Sequence, residues 1–185
     1  MAYLPNKTDD MTSVLMSIDY PHHEIHGGSM YSISIYDADL DTDDELTIAF
    51  TTDDSLKWMH AIPLVSNSSA SLFEILESPT ITVDSGSQQV AVNNNRNSSN
   101  TSLISSIETT PTIGSATINP TITADGTVIY SEIIGFGRGG GASSTRGVGE
   151  KILKQNTTYA YRLTGLADNG AASLAVVWYE HTSPS

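Results

Sequence analysis

Tyr31-Ser-Ile-Ser-Ile-Tyr36 and Glu45-Leu-Thr-Ile-Ala-Phe-Thr51 decide the fold. Both alternate with period two. Ile33 and Ile35 share one face of the first stretch. Leu46, Ile48 and Phe50 share one face of the second, against Glu45, Thr47, Ala49 and Thr51. That is the pattern of strands with one buried face. Outward from them the pattern repeats. Lys57–Val65 alternates Trp58, His60, Ile62 and Leu64 against Met59, Ala61, Pro63 and Val65. Pro63 marks an edge or a bulge there, because proline donates no ladder hydrogen bond. Ser71–Glu77, Thr80–Val83, Gln89–Val92, Leu103–Ile107, Ile113–Ile122, Thr127–Ile134, Glu150–Leu153, Thr158–Leu163 and Ala172–Glu180 continue the series, and Met11–Ile18 is a candidate first strand. Asp84-Ser-Gly-Ser-Gln88 reads as a turn, and Ala124-Asp-Gly126 and Asp168-Asn-Gly170 read as hairpin turns. About ten short strands without a convincing helix predict an all-β, two-sheet antiparallel sandwich. Its expected core is Ile33, Ile35, Leu46, Ile48, Phe50, Trp58, Phe73, Ile75, Val128, Tyr161, Val176 and Trp178.

Composition agrees. The 185 residues suit one domain, read as a polar arm over 1–10 and a single sandwich over 11–185. Ser and Thr number 46 against four lysines, which is poor helix material and good strand material. The absence of cysteine excludes disulfides, thiol catalysis and Cys-ligated metals. A net charge of −13 repels phosphate backbones and anionic lipid, so neither nucleic acid nor membrane is an expected partner. No run approaches the ~18 apolar residues of a membrane span. The first ten residues have no apolar h-region, so no secretory signal is expected. Charge is uneven: residues 1–54 hold 12 acids and one base, whereas 89–185 hold six of each. The acidic part is expected to face water.

Three motifs invite chemistry. Pro21-His-His-Glu-Ile-His-Gly27 is one residue short of the zincin spacing, and Pro21 and Gly27-Gly28 argue against the helix that motif needs. On an extended chain His22, Glu24 and His26 would share a face; a hydrogen-bonded or interfacial strand is the preferred reading, with no metal expected. Asp37-Ala-Asp-Leu-Asp-Thr-Asp-Asp-Glu45 begins like a calcium loop but has Thr42 and Ile48 where glycine and the bidentate glutamate belong. Gly135–Arg146 lacks the Gly-Lys-Ser/Thr ending of a phosphate loop, and a loop that orders against a partner is preferred. No serine stands in Gly-x-Ser-x-Gly, and Trp58 and Trp178 read as core.

Three stretches carry a family likeness: Ile18-Asp-Tyr-Pro-His-His-Glu-Ile-His26, Val92-Asn-Asn-Asn-Arg-Asn-Ser-Ser-Asn100, and Ile152-Leu-Lys-Gln-Asn-Thr-Thr-Tyr159 running on to Trp178-Tyr-Glu-His181. Their order and spacing resemble the capsid decoration, or cement, proteins of tailed bacteriophages, over residues ~15–182 in elements of the size a sandwich needs. The resemblance implies a jelly-roll sandwich, assembled as a homotrimer and seated outside the major capsid protein of the virion. It implies no enzymatic activity, no catalytic residues and no cofactor. The protein would be made in the host bacterial cytoplasm and kept on the capsid exterior.

The expected interface comprises His22, His23, Glu24 and His26, the loop residues Asn93, Asn94, Asn95, Arg96 and Asn97, and Arg138 and Arg146. Asn both donates and accepts hydrogen bonds, and Arg forks onto carboxylates. Two other readings compete: a glycan-binding or host-adhesion module on a phage fibre, and a zinc-dependent hydrolase using His22, Glu24 and His26.

Overall fold

A computed structural model describes residues 20–135 and 149–182. A two-turn helix, α1 (Tyr20–Gly27), leads into β1 (Met30–Leu40), β2 (Glu45–Thr51), β3 (Lys57–Asn67) and β4 (Ser71–Glu77). Five short strands follow: β5 (Thr80–Ile81), β6 (Ser87–Val90), β7 (Val92–Asn93), β8 (Ser115–Ile118) and β9 (Ile122–Ala124). The chain closes with β10 (Thr127–Ile134), β11 (Lys151–Leu153), β12 (Thr158–Gly165) and β13 (Gly170–Thr182).

Two antiparallel sheets form, in the orders β11-β3-β13-β1-β7 and β10-β4-β12-β2-β8-β6, with β5-β9 as a separate pair. Without the short strands β5–β9, the eight remaining strands form two four-stranded sheets, β11-β3-β13-β1 and β10-β4-β12-β2, and each consecutive pair changes sheet except β4 and β10, which are paired. That is the jelly-roll order. The expected sandwich is therefore found, with thirteen strands among the described residues rather than about ten.

The core lies between the sheets, where Trp178, Phe50, Tyr161, Ile33, Leu174 and Leu163 are almost fully buried. Phe50 is the hub: its ring centroid lies 5.9 Å from Tyr161 and 6.2 Å from Trp178. The segment between β4 and β10 folds over the outside of the six-stranded sheet. Ala49, Leu76 and Ala160 meet Ile81, Ile107 and Ile122 there. This explains why Thr47 and Ala49, on the expected polar face of β2, are buried.

Several expectations need correction. Pro21 and Gly27-Gly28 do not exclude a helix but bound one: proline is tolerated in a first turn, and Gly28, at φ +69°, ends it. Trp58 and Val128 are 40% and 45% exposed, and Ile35 is only half-buried. Both faces of β3 are apolar, so alternation alone could not choose between them; pairing with β13 sets Ala61 opposite Trp178 and turns Met59, Ala61 and Val65 inward. In β10 a bulge between Val128 and Tyr130 reverses the alternation, so Tyr130 rather than Val128 packs on the core. Leu103–Ile107 makes only isolated bridges, through Ser105 to Thr51 and Ile113. Ile113–Ile122 is broken by Asn119, at φ +49°, and Pro120. Neither proposed hairpin exists. Ala124-Asp-Gly126 joins strands that pair elsewhere, and Asp168-Asn-Gly170 carries the chain from one sheet to the other. Among the described residues Pro63 does stand where β3 has no outer neighbour, since β11 pairs with Met59–Ala61. The arm over 1–10 and the candidate strand Met11–Ile18 lie outside the described residues.

Candidate functional site

The start of β1 gathers two of the three sequence-predicted interface segments. α1 packs at this end, and the 93–100 loop closes over its last turn. Helix ends leave carbonyls without partners, and here asparagines supply them. Asn95 Nδ2 donates to the His26 carbonyl (3.2 Å). Asn93 Nδ2 and Asn100 Nδ2 both donate to the Gly28 carbonyl (3.0 and 3.1 Å). Asn94 accepts from Ser32 Oγ at 2.9 Å, and its N–H donates to the Met30 carbonyl at 2.8 Å. The loop also braces itself, since the N–H groups of Asn95 and Asn97 donate to Asn93 Oδ1 and Asn95 Oδ1. The asparagine run is thus largely structural, and Asn93 is buried. Arg96, Asn97, His22, His23 and His26 are what this knob shows to solvent.

The histidines do not sit as an extended chain would place them. His22 and His26, four residues apart on α1, stack with centroids 4.9 Å apart and Nε2 atoms 3.0 Å apart. Glu24 turns away from them into the protein, where it bonds Ser29 and His23 and is buried. The helix therefore separates Glu24 from the His22–His26 pair, and the three do not share a face. Arg138 and Arg146, with nearly all of the glycine-rich loop, lie outside the described residues.

The acidic stretch lies at the other end of the molecule. α1 precedes Met30 and the Asp41–Asp44 turn follows Leu40, so the eleven residues of β1 separate them. At ~3.3 Å per residue that is roughly 33 Å. The turn is locked to the β12–β13 crossover. Thr42 donates twice to Asp168 Oδ1, from N (3.0 Å) and Oγ1 (2.6 Å), and Asn169 N–H donates to Asp41 Oδ1 (3.0 Å). The hydrogen bonds from Thr42 hold the Asp168 carboxyl below the usual range. The Asp168 and Asp41 carboxylates brace the turn. Among the described residues no three His, Asp or Glu side chains gather as a metal cage.

A cluster missed by the sequence reading lies at the α1 end, on the outer face of the five-stranded sheet. His60 on β3 stacks on Tyr179 of β13 at 4.6 Å. Glu150 Oε1 accepts from Tyr179 Oη (2.6 Å) and sits 2.7 Å from His60 Nδ1. His60 Nε2 lies 2.8 Å from His181 Nε2. Trp58, opposite His181 in the ladder, borders the cluster with an exposed ring. Alternation places Trp58 with His60 and Tyr179 with His181. Only the cross-strand register unites the two pairs.

No protein-family model, curated protein or solved structure matches the chain.

Proposed function

We propose that this protein is a non-enzymatic virion component that decorates and stabilises the outside of a tailed-phage capsid as a homotrimer. The observation that carries the reading is the polarity of the jelly roll. One end presents a preordered knob with Arg96, Asn97 and the α1 histidines outward, and the opposite end presents the acidic turn. Preordering lowers the entropy lost when a loop docks. A trimer would repeat each contact about its own threefold axis and so multiply it. The acidic ends would then face water, where like charge keeps particles apart. The resemblance in the α1, asparagine-loop and β11–β13 segments supports the same reading.

A second reading is glycan binding or host adhesion on a phage fibre. It is favoured by Trp58, whose exposed ring offers the apolar, polar-edged platform that sugars take. One experiment separates the two. The parent, Arg96→Ala and a chain lacking residues 1–10 are incubated with capsids of the phage that encodes the protein, and co-sedimentation is measured. Decoration predicts saturable binding of the parent, weakened at least tenfold by Arg96→Ala, and a trimer in sedimentation velocity. Loss of binding only on deletion of residues 1–10 would move the contact to the arm. Failure of the parent to bind, with retention on a glycan array that Trp58→Ala abolishes, would replace decoration by adhesion.

A further inference from the structure

Of the two tryptophans the fold buries one and leaves the other open. Trp178 is fully buried, whereas Trp58 is 40% exposed on the outer face of β3. Register places its neighbours. His181 stands opposite it on β13. On the other side β11 pairs Ile152 with His60 and Leu153 with Met59, so Ile152 and Lys154 flank Trp58 along the edge strand. Ile152 is exposed as well. Trp58, Ile152, Leu153, Lys154 and Gln155 line an open cleft of about 480 Å3. That lies within the range of about 300–1,000 Å3 in which small ligands are held.

The rim is polar and ordered. Gln155 Nε2 donates to the carbonyls of Ser55 and Lys57, which ties its side chain to the start of β3 and leaves Oε1 to accept. Lys154 Nζ donates one hydrogen to Glu77 Oε1 and has two more. An aromatic floor, an aliphatic wall, a fixed acceptor and a cationic donor match one ligand chemistry. A pyranose with equatorial hydroxyls presents axial C–H bonds on each face of its ring, and these pack flat on an indole. Its vicinal hydroxyls each donate and accept. A proline-rich peptide needs an aromatic-lined groove, and among the described residues Trp58 is the only ring lining this cleft. We propose that the Trp58–Ile152 cleft binds a neutral, equatorially hydroxylated pyranose, stacked on Trp58 with Gln155 and Lys154 on its hydroxyls. The inference rests on the glycan-binding reading for its ligand class and not on capsid attachment.

The test uses the full untagged chain. Methyl β-glucoside, cellotetraose and chitotetraose are titrated into the millimolar range and followed by tryptophan fluorescence and saturation-transfer NMR. Because Trp178 is buried, a change in emission reports stacking on Trp58. The expected result is saturable binding of at least one of the three with a shift in emission. Trp58→Ala should weaken binding at least tenfold while circular dichroism shows the sheets intact, and Trp58→Phe should recover part of the loss. Gln155→Leu should weaken binding severalfold and keep the emission shift. Binding that survives Trp58→Ala unchanged overturns the site and leaves the glycan-binding reading standing. Binding of none of the three overturns the site, and retention of the parent on a glycan array then decides whether that reading falls with it.

Discussion

Trp178 Nε1 donates to Glu180 Oε1 at 3.0 Å, two residues further along the same inward face of β13. The same oxygen takes Ser102 Oγ and shares the Leu103 N–H with Oε2. A carboxylate thus closes the core at its α1 end and holds the 102–104 segment in place. Burial pushes the Glu180 carboxyl above the usual glutamate range, against the lowering effect of its donors.

That shift sets a pH dependence. The folded value lies above the unfolded one, so the group's contribution is full below the unfolded pKa and declines as pH rises through the raised value. Glu180→Gln, which keeps an acceptor oxygen but cannot ionise, should flatten urea stability across that interval. Glu180→Ala strands buried donors and should cost at least about 2 kcal/mol at neutral pH. Equal pH profiles for the parent and Glu180→Gln would show that the site does not titrate in the fold.

Glu77 works with the opposite sign. Its bond to Lys154 Nζ at 2.6 Å is the main cause holding its carboxyl below the usual range, helped by Tyr159 Oη at 2.9 Å. The stabilisation is present above the unfolded pKa and is lost as pH falls through the lowered folded value. Lys154→Met should therefore lower urea stability slightly at neutral pH, as for a solvent-screened pair, and its difference from the parent should close as pH falls through the lowered folded value.

Arg162 on β12 is the most heavily engaged cation among the described residues. Its Nη2 is 2.7 Å from Glu74, and Nη1 is 2.8 Å from Asp125 and 3.5 Å from Glu45. Its side chain is 11% exposed. Arg162→Ala leaves Glu74 without its cation and should cost about 3 kcal/mol in urea unfolding. Arg162→Lys should recover only part, because one ammonium nitrogen replaces the two guanidinium nitrogens that separately reach Glu74 and Asp125.

Phe50 and Trp58 calibrate the two sheet faces. Phe50 is fully buried and Trp58 is 40% exposed. Phe50→Ala should cost about 3–5 kcal/mol, whereas Trp58→Ala should cost well under that despite the larger ring. Comparable losses would mean that the outer face near Trp58 is covered in solution.

Gly28 tests the knob. It sits at φ +69°, and a Cβ there would collide with the Ser98 side chain. Gly28→Ala should cost about 1–2 kcal/mol for the left-handed backbone alone. Hydrogen exchange should rise over 93–100, because that loop must move to admit the methyl. Unchanged protection there would separate loop order from the helix cap.

Period-two alternation in Tyr31–Tyr36 and Glu45–Thr51, turn residues, the lack of cysteine and the scarcity of lysine were enough to specify an all-β sandwich, because they depend on local backbone chemistry. Val128 and Trp58 show where local chemistry stops. A bulge reversed the first and a two-faced apolar strand hid the orientation of the second; both were settled by pairing partners far away in sequence. The asparagine run could be seen in the sequence, but its role as a cap on α1 could not, since its acceptors are the carbonyls of His26 and Gly28. His60 and His181 are 121 residues apart and belong to no motif. The sequence by itself determined the class of fold and the asymmetry of charge. The tertiary structure alone decided which sheet each turn joined, which faces were buried and which histidines met, because antiparallel register converts distant positions into neighbours at fixed spacing.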